Sequence, residues 1–294
     1  MSTLENIWQL MADAILLTAQ LAVGFFGGIF VMGFLLYFLA KFTRNLFAKS
    51  FGYRSEIYTT AWIGTPVHEL GHAIFCILFG HRIRKINLFK PNAKDGSLGS
   101  VEHSYSSRNI YQRTGNFFIG AGPLFSGSLL ILVLIKFLLP NGDTAFDILS
   151  TKPDLTKTVA TGFSDYFYSI AGRAFSVFPV IFSKANLTHW QFWLFLYLAI
   201  AVSSHMSLSP PDVKTMLSGL LTILVLMFVF NLAYLLFFSE YNNVLLKANS
   251  AFALLDRLLM AGLLLSIINF ILTFVIATAF GILIRGKIPN PFTH

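Results

Sequence analysis

Long apolar stretches separated by short polar ones dominate this sequence. Six of them predict membrane-spanning helices, at 14–40, 59–80, 115–139, 190–208, 215–238 and 258–284. Each approaches the ~20 apolar residues needed to cross a hydrocarbon core. A seventh piece, 166–182, is short and carries Arg173 and Pro179, so it reads as a re-entrant or interfacial segment. The pattern changes character at 81–113. There His81 to Phe89 alternates in part, Pro91 to Gly96 supplies turn chemistry, and Ser97 to Tyr105 can return as a second strand. The expected fold is an α-helical polytopic membrane protein of about six transmembrane helices with a small β-hairpin after the second. Three regions follow: an N-terminal anchor and basic loop at 1–58, a core at 59–238, and a C-terminal helix with a basic tail at 239–294. The core contains the hairpin 81–113 and an outer segment 140–189.

Composition supports the membrane reading, since 55% of the 294 residues are hydrophobic and only 12% are charged. The net charge of +8 does not point to nucleic acid, because the basic residues flank the apolar runs and form no groove or arm. Glu5 and Asp13 precede the first run without a basic n-region, so that run is expected to stay as an anchor. The Lys/Arg bias places 81–113 in the cytoplasm, the 140–189 segment outside, and Arg285 and Lys287 inside. Lys41, Arg44, Lys49 and Arg54 then fall outside, against the bias. The single cysteine, Cys76, excludes an intrachain disulfide and reads as a small packed hydrophobe.

The candidate chemistry lies in His68-Glu69-Leu70-Gly71-His72, inside an apolar run. Histidines at i and i+4 share a helix face and can reach one Zn²⁺, and the intervening glutamate can take a proton from a metal-bound water. A lone buried carboxylate is costly, and a nearby divalent cation removes that cost. A catalytic zinc takes three protein ligands, so a third is required. Leu78 occupies the place of a third histidine ten residues after the first, and Glu102 and Glu240 are not in apolar helix interiors. The remaining candidates lie in the run from Ser203 to Asp212. Pro210 and Pro211 there break the helix, and broken backbone at membrane depth is tolerated where it lines a cavity. Asp212 is the preferred ligand, with an ordinary N-cap as its competing role and His205 as the alternative metal ligand.

These residues resemble the site-2 protease family of intramembrane zinc metalloproteases. The likeness rests on His68 to His72 in a predicted span, a β-rich insertion after it, Ala121-Gly122-Pro123 in the next span, and an aspartate, Asp212, on a later helix. It covers 59–139 well and 203–220 loosely. Ser126 stands where the family commonly has Asn, and Val213 follows the aspartate where Gly is common. The resemblance implies one Zn²⁺ per chain on His68, His72 and Asp212, with Glu69 as the general base. Ser126 or the backbone at Gly122 would assist the oxyanion. It implies hydrolysis of peptide bonds in a membrane protein or membrane-associated peptide, with the 97–105 strand pairing to an unwound substrate segment. A multi-pass protein of a bacterial-type inner membrane is expected. Two other readings exist: a metal transporter or sensor without peptidase activity, and an inactive scaffold. Glu69 separates them, because neither needs a base between the histidines.

Overall fold

The structure, a computed structural model, describes residues 3–92, 96–151, 163–237, 242–285 and 289–290. Helix α1 runs from Thr3 to Phe51, and its 49 residues extend about 74 Å. This exceeds twice the hydrocarbon thickness, so the basic end from Lys41 onward continues the same helix instead of forming a loop. Gly52, with φ of 89°, ends it. A short α2 (Tyr53–Glu56) and a π-helical turn (Ile57–Ala61) lead into α3 (Trp62–Leu78), which carries the His68 to His72 motif.

A Schellman turn closes α3. Gly80 takes a φ of 67°, its N–H bonds the Ile77 carbonyl at 3.1 Å, and the His81 N–H bonds the Cys76 carbonyl at 2.8 Å. The chain then forms the expected hairpin: β1 (Arg82–Asn87) pairs antiparallel with β2 (Ser100–Ser104), with Ile83 opposite His103 and a register shift before Lys85. The second strand is shorter than the 97–105 expected, because Ser97 to Gly99 turn over the cavity described below. Ala93, Lys94 and Asp95 of the expected turn lie outside the described residues, as do Lys152, Asp154, Lys157, Glu240 and Lys287.

The predicted span 115–139 is two helices, α4 (Ile110–Gly120) and α5 (Gly122–Leu138), bent by 57°. Pro123 causes the break, since it has no N–H for the Ile119 carbonyl one turn before it. Then follow α6 (Gly142–Ser150), α7 (Phe163–Ile181), α8 (Lys184–Leu187), α9 (Trp190–Ser204), α10 (Pro210–Phe237) and α11 (Asn242–Arg285). Helix α10 opens on Pro210 and Pro211, which is tolerated because first-turn N–H groups have no helical acceptor.

Helices occupy all six predicted intervals, but they are not six equal spans. Among the described residues three are long and apolar enough to cross a membrane, within Asn6–Phe51, Pro210–Phe237 and Leu254–Leu283, and the bent pair α4–α5 makes a fourth if taken as one span. Helices α3 and α9, at 17 and 15 residues, fall short. Lys41 and Arg44 line the same cavity as Gly96 to Val101 of the hairpin connection.

The apolar core lies where α1, α5, α9 and α11 meet, with Ile29, Met32, Leu124, Ile131, Phe195 and Leu259 buried. Outward, Val229, Phe230 and Phe237 of α10 are exposed, a face that water penalises and a lipid phase does not. Arg257 is buried at the start of the apolar part of α11 and donates from Nη1 to the carbonyls of Leu149 and, at 2.6 Å, Thr151. It ties α6 to α11 with a cation at a helix C-terminus. Arg257→Met is expected to lower stability by about 3 kcal/mol, since it strips charged donors from buried carbonyls. Thermal unfolding in detergent checks this, and an unchanged midpoint contradicts it.

Candidate functional site

The two motif histidines are held by backbone carbonyls that lack helical donors. His72 Nδ1 lies 2.7 Å from the Ile119 carbonyl, the one orphaned by Pro123. His68 Nδ1 lies 2.8 Å from the carbonyl of His205, just past the end of α9. A carbonyl only accepts, so each Nδ1 donates its hydrogen, and a neutral ring then keeps a lone pair on Nε2. The rings stand 5.0 Å apart at 71°. Both Nε2 atoms face Asp212: His68 Nε2 is 3.5 Å from Oδ2, and His72 Nε2 is 3.2 Å from Oδ1.

Asp212 is not itself the N-cap weighed for it: it stands at the third position of α10, and its side chain completes the cap. Ser209 and Asp212 form a capping box at the start of α10. Asp212 Oδ2 accepts from the Ser209 N–H and hydroxyl, each at 2.7 Å, and the Asp212 N–H reaches Ser209 Oγ at 3.4 Å. The box holds the carboxylate at a fixed angle, and Oδ1 remains for the histidine side. The cap leaves the carboxylate where it could also serve as a ligand.

His68, His72 and Asp212 each offer one donor atom within 4.8 Å of the others, so the group could hold a metal ion. The donor set fits one. Two imidazole lone pairs and a carboxylate pointing at one place repel, and either a cation or two added protons must lie between them. A divalent ion neutralises the place with a single particle.

Glu69 is buried, 7% exposed, and lines a cavity of about 760 Å³ with His68, His72 and Asp212. The hairpin connection covers it closely. A Cβ on Gly99 would fall 2.6 Å from Glu69 Cγ, so only glycine lets the backbone approach the carboxylate this near. Gly71 and Gly122 do the same for the helices: a Cβ on Gly71 would sit 2.5 Å from the Gly122 carbonyl oxygen. That contact brings α5 against the motif face of α3.

The other expected site residues fall elsewhere. His205 gives the site its carbonyl, not its ring. Its Nδ1 lies 3.0 Å from the Ala201 carbonyl and its Nε2 lies 3.7 Å from Glu56 Oε1. Ser126 Oγ donates toward the carbonyls of Val67, at 2.9 Å, and Pro123, at 3.3 Å. Neither Ser126 nor Gly122 is among the residues lining the cavity. The oxyanion role expected for them has no geometric support, because both are used in the α3–α5 contact.

Sequence reasoning missed Arg44 and Glu56. Arg44 Nε pairs with Glu56 Oε1 at 3.3 Å, and both line the cavity beside His205. The excess of basic residues at 41–54 was visible, but nothing in the spacing linked them to a histidine some 150 positions later. No family model, no curated protein and no solved structure matches the chain, so the likeness to site-2 proteases stands on its motifs alone.

Ser209 acts on a metal only through Asp212. Ser209→Ala is expected to weaken Zn²⁺ retention roughly tenfold, the lower end for losing a ligand's hydrogen-bond partner. Chelator competition against the wild type measures it. Equal retention would show that the capping box does not position the carboxylate.

Proposed function

We propose that this chain is a multi-pass zinc metallopeptidase that cleaves membrane proteins or membrane-associated peptides, as its likeness to site-2 proteases implies. One observation carries the reading: two Nε2 lone pairs and the Asp212 carboxylate converge at a cavity wall that Glu69 shares. Zn²⁺ suits two imidazoles and a carboxylate, and when bound it acts as a Lewis acid that makes a water acidic near neutral pH. The six-span topology, with α3 and α9 as short crossings inside the bundle, belongs to this reading, as does a bacterial-type inner membrane.

Glu69 supplies the base. Its carboxylate takes one proton from the attacking water as the new C–O bond forms at the scissile carbonyl carbon. It then delivers that proton to the amide nitrogen as the C–N bond breaks. The desolvated cavity strengthens these charge interactions. His68 and His72 do not shuttle protons, because their Nδ1 hydrogens are held by Ile119 and His205 carbonyls.

A substrate helix must present an extended segment, since its own amides are hydrogen-bonded. The hairpin offers a partner: its sheet has two strands among the described residues, and Gly96 to Val101 line the cavity beside Glu69. Strand addition along this edge would hold the unwound segment through main-chain bonds. Removing 97–105 is expected to abolish cleavage, and undiminished cleavage would contradict strand addition.

The decisive variant is Glu69→Gln. It is expected to keep its zinc while hydrolysis falls by about 10²–10⁴-fold, the usual contribution of a positioned base. The assay follows a dye-labelled single-span test protein in detergent micelles by gel and mass spectrometry. Equal cleavage by wild type and variant, or metal-dependent transport that the variant preserves, favours the transporter or sensor reading.

A further inference from the structure

A second set of metal-ligating side chains converges beside the site described above, and one of them, His103, lines the same cavity. Cys76, His81 and His103 each offer one donor atom within 4.8 Å of the others, and none belongs to the first group. Cys76 is fully buried on α3, one turn beyond His72. The Schellman turn brings His81 back over the last turn of α3, because its N–H must reach the Cys76 carbonyl. His103 comes from β2, opposite Ile83 in the hairpin. Three segments thus deliver one thiol and two imidazoles to a single point.

The hydrogen bonding prepares the His81 ring as a ligand. His81 Nε2 lies 2.8 Å from the Gln112 carbonyl, so it carries the hydrogen and leaves Nδ1 with a lone pair. Gln112 is itself pinned: its Nε2 donates to the Gly80 carbonyl and its Oε1 accepts from the Ser106 N–H, both at 2.7 Å. A ligating histidine whose second nitrogen is held by a carbonyl is the usual arrangement at metal sites. His81 Nδ1 and His103 Nδ1 are 3.0 Å apart, near the spacing of two ligands on one small cation.

We propose that Cys76, His81 and His103 form a second metal site that takes Zn²⁺ and fastens the hairpin to the end of α3. A thiolate with two imidazoles is a borderline-soft donor set that suits Zn²⁺ over Mg²⁺ or Ca²⁺. Three protein ligands leave one tetrahedral position for solvent. The site crosses from α3 to β2 at the far end of the hairpin from Gly99. A cation there would fix how the hairpin lies over Glu69. Cys76 would then be a ligand and not merely a packed hydrophobe.

Cobalt(II) tests this cleanly. The chain has one cysteine and the first group has no sulfur, so a near-ultraviolet sulfur-to-cobalt charge-transfer band can come only from Cys76. The full chain, purified in detergent and loaded with Co²⁺, is expected to show this band in the wild type and in His68→Ala. Cys76→Ala and His103→Ala are expected to lose it, and to bind one cobalt fewer per chain. His103 is only half-buried, which makes His103→Ala the variant that keeps the test open if Cys76→Ala fails to fold. A wild type without the band overturns the proposal. So does a band that survives His103→Ala, or one that vanishes with His68→Ala.

Discussion

Pro123 leaves the Ile119 carbonyl without a helical donor, and the end of α9 does the same for His205. Each carbonyl takes an imidazole N–H instead. That exchange fixes which nitrogen of each ring is bare, and so fixes where a cation is wanted. The bend between α4 and α5, the Gly71–Gly122 crossing and the proline-led start of α10 all serve this placement. The backbone breaks are therefore the means by which a largely apolar bundle presents charge-seeking atoms at one point.

Once the lone pairs are fixed, the rest of the cavity follows from desolvation. Asp212 is oriented by the Ser209 capping box, and Glu69 is covered by a hairpin that only glycine allows so near. Arg44, Glu56 and His205 also line the cavity, with Arg44 paired to Glu56 and Glu56 beside the His205 ring. A partly charged cavity inside an apolar bundle is where electrostatic interactions count most.

Much of this was legible along the chain. The period of the apolar runs located every long helix, and the switch of pattern at 81–113 located the hairpin. The pentad placed His68 and His72 on one face with Glu69 between them, and the Pro210-Pro211 break pointed to Asp212. What escaped depends on tertiary approach. Spacing does not reveal that 115–139 bends, that α1 continues through its basic end, or that Arg44 meets Glu56. It also hid the relation of Cys76 to His81 and His103, because a helix-terminal turn and a strand pairing must both form before the three meet. Ser126 shows the converse: a position marked by resemblance is occupied in a helix contact, and its hydroxyl proton is committed to backbone carbonyls.

The central claim is that His68, His72 and Asp212 act together on one zinc. The direct measurement is metal content of the detergent-purified protein, wild type beside His68→Ala and Asp212→Ala. Each variant is expected to lose the same single equivalent of zinc relative to the wild type. Full zinc in Asp212→Ala, with loss only in His68→Ala, would contradict it and require another third ligand.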